Sequence, residues 1–274
     1  MRIHEWKFVC ALLFGMILPA WIGSAFALPS SRRLFEGKYG YKVGCNLCHE
    51  KGGGSSGNDY GKAFLRSGGN FQAFAKIEKK DSDEDGFANL NEIVAKSNPG
   101  DPRSTPDKPG DWLAEAGKVP VPEKQLRELF PEAEAFAAVE GSLNEAQVTF
   151  VQSNAAVPLT EDDKVPTFYF AIAQGKRYGV VQFIRLEGKK QPLSVAVAVD
   201  IRGQITKVKV LKSEEDKLLS GNPFLSQFAG KTFKDPFKVG ADLTTVPGLE
   251  PLSQTFSAEI RKSLWVIQAV FAKR

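Results

Sequence analysis

The sequence predicts an α+β protein: a small helical segment, then a larger α+β unit. Three observations point there. Residues 28–98 are rich in glycine and charge, with short apolar repeats at helical spacing (Phe71, Phe74, Ile77; then Leu90, Ile93, Val94). Residues 123–274 carry apolar, β-branched runs separated by turn residues. Phe256, Ile260, Leu264, Ile267 and Phe271 share one face of a closing helix. A length of 274 residues allows more than one domain and a sizeable core. Hydrophobic residues at 42% and charged residues at 25% exclude collagen, general disorder and a multi-span membrane protein. The net charge of +4, with Lys and Arg spread along the chain, leaves no nucleic-acid footprint.

The elements follow in order. Residues 1–27 read as an export signal: Arg2 and Lys7, an apolar run from Phe8 to Phe26, then the small-x-small site Ala25-Phe26-Ala27. Cleavage is expected after Ala27, and the competing reading is an uncleaved N-terminal anchor. Removal of this segment takes away Met1, His4, Cys10 and Met16. Cys45, Cys48 and His49 are then the only Cys and His left, with no Met. Residues 28–98 form a first unit. Its Gly52–Gly57 stretch reads as a flexible loop, Asn70–Lys80 as a short helix, and Leu90–Val94 as a second helix stopped at Asn98-Pro99. Residues 99–122 hold six prolines and read as a semi-rigid connector with a brief turn at Trp112-Leu113-Ala114. Residues 123–274 open on a short helix (Leu126, Leu129, Phe130) ended by Pro131. β-rich runs follow at Val148–Gln152, Thr167–Ala173, Gly179–Leu186, Leu193–Val199 and Ile205–Leu211. Asp200–Gln204 joins the last two as a hairpin, with Gly203 in the turn.

Cys45-Asn46-Leu47-Cys48-His49 is C-x-x-C-H, the pattern of covalent c-type haem attachment. Two thiols add to the haem vinyl groups and the adjacent His reaches the iron. A disulfide leaves His49 unexplained. A thioredoxin-like pair wants a preceding strand, and a zinc site wants about four ligands. The usual sixth iron ligand is Met or a second His, and the processed chain has neither. The remaining candidates are Lys42, Lys51, Asn58, Tyr60, Lys62 and the new N-terminal amine. Arg32, Arg33, Lys38 and Lys42 form a basic run before the motif, read either as a steering face for an acidic partner or as solvated charge.

Asp81 to Glu92 matches D-x-D-x-D-G-x5-E at every constrained position. Asp81, Asp83 and Asp85 would surround one Ca²⁺. Gly86 makes the turn, Phe87 offers its carbonyl, Asn89 acts directly or through water, and Glu92 closes the site. A single loop with short flanking helices points to a structural ion rather than a sensor. Catalysis by a Ser/Thr–His pair is excluded because His49 belongs to the haem motif.

Several segments carry family resemblances. Asp81–Glu92 followed by Asn98-Pro99-Gly100-Asp101-Pro102 is similar to bacterial thrombospondin-type-3-like calcium repeats. With Asn58-Asp59-Tyr60-Gly61 between, Cys45–Pro102 resembles a small exported c-type cytochrome unit that has one calcium loop. Leu126–Phe136, Val199–Val210 and Phe224–Phe237 resemble, in order, segments of FMN-binding domains. Such domains occur in periplasmic subunits of Rnf and sodium-pumping NADH:quinone oxidoreductase complexes, and in the regulator of nitrous-oxide reduction. That family's motif, D-x-x-T/S-G-A-T, ends on a Thr carrying FMN through a phosphoester. Here Asp242-Leu-Thr-Thr-Val-Pro-Gly248-Leu249-Glu250 puts Glu250 at the acceptor position. Glutamate has no hydroxyl to esterify, so covalent FMN is not expected.

The expected function is electron transfer by an exported protein, periplasmic or extracellular, carrying one haem c and one Ca²⁺. Its partner would be a redox protein or a membrane respiratory complex. Membrane contact is expected only through that partner or an uncleaved anchor. The alternatives are a flavocytochrome with noncovalent FMN and a haem-based sensor or ligand-binding subunit.

Overall fold

The computed structural model describes residues 28–53, 55–188, 192–212, 219 and 221–271. Residues 1–27, read from the sequence as an export signal, lie outside them. The architecture is α+β, as the sequence predicts. The first half is helical: α1 (Pro29–Tyr39), α2 (Asp59–Arg66), α3 (Phe71–Ile77) and α4 (Asn89–Ala95), with a 3₁₀ turn at Cys45–Leu47. The second half holds α5 (Glu123–Arg127), β1 (Ala135–Glu140), α6 (Glu145–Asn154), α7 (Glu161–Lys164), β2 (Thr167–Ala173), β3 (Lys176–Leu186), β4 (Leu193–Asp200), β5 (Ile205–Lys212), α8 (Asn222–Leu225) and α9 (Glu250–Phe271). The strands form one antiparallel meander in the order β1-β2-β3-β4-β5.

Both faces of this sheet are covered, which explains the unbroken apolar run of β4. Val195, Val197 and Val199 face α9 with Phe168, Phe256, Ile260 and Leu264. Ala196 and Ala198 face the other way, with Tyr169, Phe183, Leu126 and Phe130. Full burial of each large side chain here contributes about 1.5–3 kcal/mol. Gly179 is needed on that second face, because an added Cβ would lie 2.3 Å from the Phe130 ring. α9 takes the predicted face into the core, and its last aromatic, Phe271, meets the rings of Phe168 and Phe170.

The sequence reading did not anticipate α1, α2, α7 or α8, and around the sheet it differs at two further elements. Val148–Gln152 is not a strand but the centre of α6. The Asn144 side chain accepts from the Gln147 N–H while the Gln147 side chain accepts from the Asn144 N–H, a reciprocal cap that commits the segment to a helix. α6 then docks on α9 through Val151, the Phe150–Trp265 ring pair and a bond from Gln147 Nε2 to the Ala269 carbonyl. β1 is Ala-rich, with weak intrinsic strand preference, and forms because β2 offers it an edge.

The halves are docked. Leu28, just before α1, is buried against the second face of the sheet. Ser30 Oγ donates to Asp162, Arg32 pairs with both Glu36 and Glu140, and Arg33 donates to the Gly141 carbonyl and to Ser142. The Arg185 guanidinium of β3 reaches across to the Phe64 ring. Residues 99–122 fold back on the first half: Trp112 Nε1 donates to the Lys96 carbonyl, and the Gly117 N–H to that of Val43.

Candidate functional site

Cys45, Cys48 and His49 fall on the 3₁₀ turn and its exit, between α1 and α2. Three contacts hold the turn. The Asn58 side chain caps α2 by accepting from the Gly61 N–H, and its amide donates to the carbonyls of Asn46 and Leu47. The Asn98 amide donates to the same Asn46 carbonyl. Gly61 lets α2 approach so closely that an added Cβ would lie 2.2 Å from the Cys48 carbonyl oxygen. The Asn58–Gly61 stretch is thus the brace of the Cys45–His49 turn.

The three motif residues line one pocket. Leu47 and Phe74 complete its first-half wall. The opposite wall comes from Leu28 at the start of the first half, from Pro120, Val121 and Pro122 of the connector, and from Tyr169 and Phe183 of the second half. Two polar atoms on this pocket's residues, Ser31 Oγ and Arg32 Nε, are buried and have no hydrogen-bond partner. Gly53 keeps the mouth open: a Cβ there would sit 3.3 Å from both Cys45 Sγ and Pro120.

His49 is buried, and its Nδ1 lies 2.8 Å from the Ser55 carbonyl. A carbonyl can only accept, so that contact makes Nδ1 the protonated nitrogen and leaves Nε2 with the lone pair. Burial lowers the imidazole pKa, which favours the neutral ring. The Gly52–Gly57 loop that supplies Ser55 is tied down by bonds from the Glu50 N–H to Ser56 and from the Ser55 N–H to Gly52, so its described residues work as a strap over His49. Cys45 and Cys48 are not disulfide-bonded. Burial pushes both thiols up, Cys48 to about 12. A thioredoxin-like role needs a lowered thiol, which this environment opposes.

None of the side chains proposed as a sixth iron ligand lines this pocket. Lys42 and Lys51 are exposed, and Lys62 pairs with Asp59. The Asn58 side chain is spent on its brace. Tyr60 is buried, and burial raises its phenol well above the ordinary value. The steering face is also absent as drawn: Arg32 is buried between two glutamates, Arg33 is held at Gly141, and Lys38 pairs with Glu78.

The acidic loop leads into α4. Ligand oxygens of Asp81, Asp83 and Asp85 all lie within 4.8 Å of one another. Asp81 accepts from the N–H groups of Glu84, Asp85 and Gly86, which curls the chain, and Gly86 takes φ +96°. Both Asp83 oxygens, Asp85 Oδ2 and Glu92 Oε2 are buried without a partner. Burial, then mutual repulsion, raises Asp83 to about 6 and Glu92 to about 8. This donor set fits a hard divalent cation. Asn89 is used differently from the sequence reading. Its Oδ1 accepts from the Ser82 N–H and its amide donates to Ile77 and Ser82, so it braces the loop. The Phe87 N–H donates to Asp85.

Glu250 begins α9, far along the chain, and its carboxylate accepts from the Gly248 N–H. It does not line the cysteine pocket. Sequence reasoning missed Arg185, whose buried Nη atoms have no hydrogen-bond partner and whose charge sits near Asp162 and Cys48. A lone Arg inside a strand carries no local signal of such a role. Among the described residues no helix is long and apolar enough to cross a membrane. Comparison with known families and with curated proteins finds no match to this chain.

Proposed function

We propose that this is an exported electron-transfer protein with one haem c joined to Cys45 and Cys48 and ligated by His49. It would work beside a redox protein or in a membrane respiratory complex. The observation that carries this reading is the shared pocket: two thiols and an imidazole with its Nδ1 already committed to Ser55. When bound, the haem supplies the one-electron couple. The chain's own residues bind and shield. Ser55 orients His49, Phe74 and Phe183 exclude water, and the orphan donors Ser31 Oγ and Arg32 Nε suit the acidic groups of a porphyrin edge.

The loop 81–92 is proposed to hold one structural Ca²⁺, supported by its unpartnered carboxylate oxygens. Asn98 ties the chain after that loop to the haem turn. The second half is proposed to serve as a docking and covering unit without covalent flavin, because the Glu250 carboxylate occupies the acceptor position and turns back onto Gly248.

The test is a visible spectrum of the exported protein, oxidised and reduced, with pyridine haemochrome and mass spectrometry. The expected result is one haem per chain, retained under denaturation and lost in the Cys45→Ala, Cys48→Ala double variant, with no FMN adduct. A protein exported through a haem-attaching host without haem would overturn the reading.

A further inference from the structure

We propose that the α-amino group of Leu28, released when the Ala27–Leu28 bond is cut on export, is the sixth ligand of the haem iron. This rests on the haem and export readings above, and it concerns what those readings leave open: the identity of the ligand opposite His49.

The pocket narrows the choice. Its wall opposite the first half presents proline, valine, phenylalanine and Gln125, none of them an iron ligand of ordinary strength. Tyr169 is also there, but its hydroxyl donates to the Pro120 carbonyl, and burial raises its pKa, so it remains a neutral phenol. Among the described residues no lysine lines the pocket. Every side chain that the sequence suggested lies elsewhere, and one non-side-chain candidate remains. Leu28 lines this pocket, is 3% exposed, and belongs to the buried apolar cluster that includes Tyr169 and Phe183. Its backbone is extended and it caps α1, with its carbonyl accepting from the Ser31 N–H. The ion pairs of Arg32 and the Ser30–Asp162 bond pin this end of α1 between the halves. A group on Leu28 nitrogen is therefore placed by the fold rather than left on a loose terminus.

The chemistry balances. A signal peptidase adds one water across the Ala27–Leu28 amide, giving the Ala27 carboxylate and the Leu28 amine. The amine loses a proton to solvent and donates its lone pair to the iron, with no change of oxidation state. An α-amine sheds that proton near pH 8, whereas a lysine holds its own to about 10.4. Processing would thus create the ligand, and the unprocessed precursor would lack it.

The experiment uses the full precursor, exported and haem-loaded. Intact mass fixes the N-terminus, haemochrome fixes haem content, and the ferric spectrum reads spin state. The expected wild type begins at Leu28 and is low-spin, and its α-amine resists acetic anhydride while exposed lysines react. Inserting Gly-Ser between Ala27 and Leu28 should turn the haem high-spin and tighten cyanide binding at least tenfold. Thermal unfolding checks that the inserted chain is folded, and the acetylation result stands independently of that variant. A haem-loaded chain that begins elsewhere, a high-spin wild type, an unchanged spectrum after insertion, or acetylation of the amine without spectral change would each overturn the proposal. Absence of haemochrome would instead defeat the haem reading, and this inference with it.

Discussion

Gly61 and Gly37 show how differently two helical glycines act. A methyl group at Gly61 would meet the Cys48 carbonyl at 2.2 Å, whereas at Gly37 nothing lies within 4 Å. Gly61→Ala is expected to destabilise the fold by about 1–3 kcal/mol, because backbone must move to admit it. It should also lower haem loading, since the displaced carbonyl belongs to the attachment turn. Gly37→Ala on α1 should stabilise by about 0.5–1 kcal/mol through helix propensity alone. Urea melts of the two variants, with haemochrome content, check the pair; equal effects would contradict the close packing. C-x-x-C-H was legible at this scale because adjacent residues carry the chemistry. Asn98 as a brace was not, since its partner Asn46 lies 52 residues away.

The acidic loop is an element whose charges oppose its own folding. Asp83 is raised to about 6 and Glu92 to about 8, so without a cation the folded loop holds protons that the unfolded chain has released. Between the ordinary Glu value of 4.5 and about 8, the folded state binds more protons, so stability falls as pH rises. A bound calcium ion, as proposed, would reverse this by favouring the deprotonated oxygens. Chelated protein is expected to melt lower at pH 8 than at pH 5.5, with calcium restoring stability most at pH 8. Calorimetry with and without chelator checks it, and a flat chelated profile in that window would count against the site. Glu92→Gln should flatten the slope and abolish the calcium effect. At α6, Asn144→Ala removes one half of the reciprocal cap and should cost about 1 kcal/mol in urea melts. The strand reading of residues 148–152 failed because alternating Val and Phe resemble a strand, while the cap that decides the matter lies at Asn144, outside that window.

The whole molecule is organised by its seam. α1 belongs to the first half by sequence, yet Arg32 bridges Glu36 of α1 to Glu140 of β1. Arg32→Ala would leave two glutamates half-buried without their cation, a loss on the order of 3 kcal/mol for a largely buried pair. Proteolysis around residues 99–122 should quicken while each half keeps its helix or strand signal. Unchanged cleavage would mean that the seam is held without Arg32, by its apolar contacts and the Ser30 and Arg33 hydrogen bonds.

What could be read from sequence alone is local: the C-x-x-C-H spacing, the acidic loop, the hairpin at Asp200–Gln204, four of the five strands and the closing helix. Each is set by residues within about a dozen positions, where spacing and turn preference act directly. It took the folded chain to show that β1 exists, that described residues of the 52–57 loop strap His49, that Arg32 and Lys38 of the basic run are held in ion pairs and Arg33 in hydrogen bonds, and that the pocket has two owners. Those outcomes depend on partners distant in sequence, whose contact is created by burial rather than by local pattern.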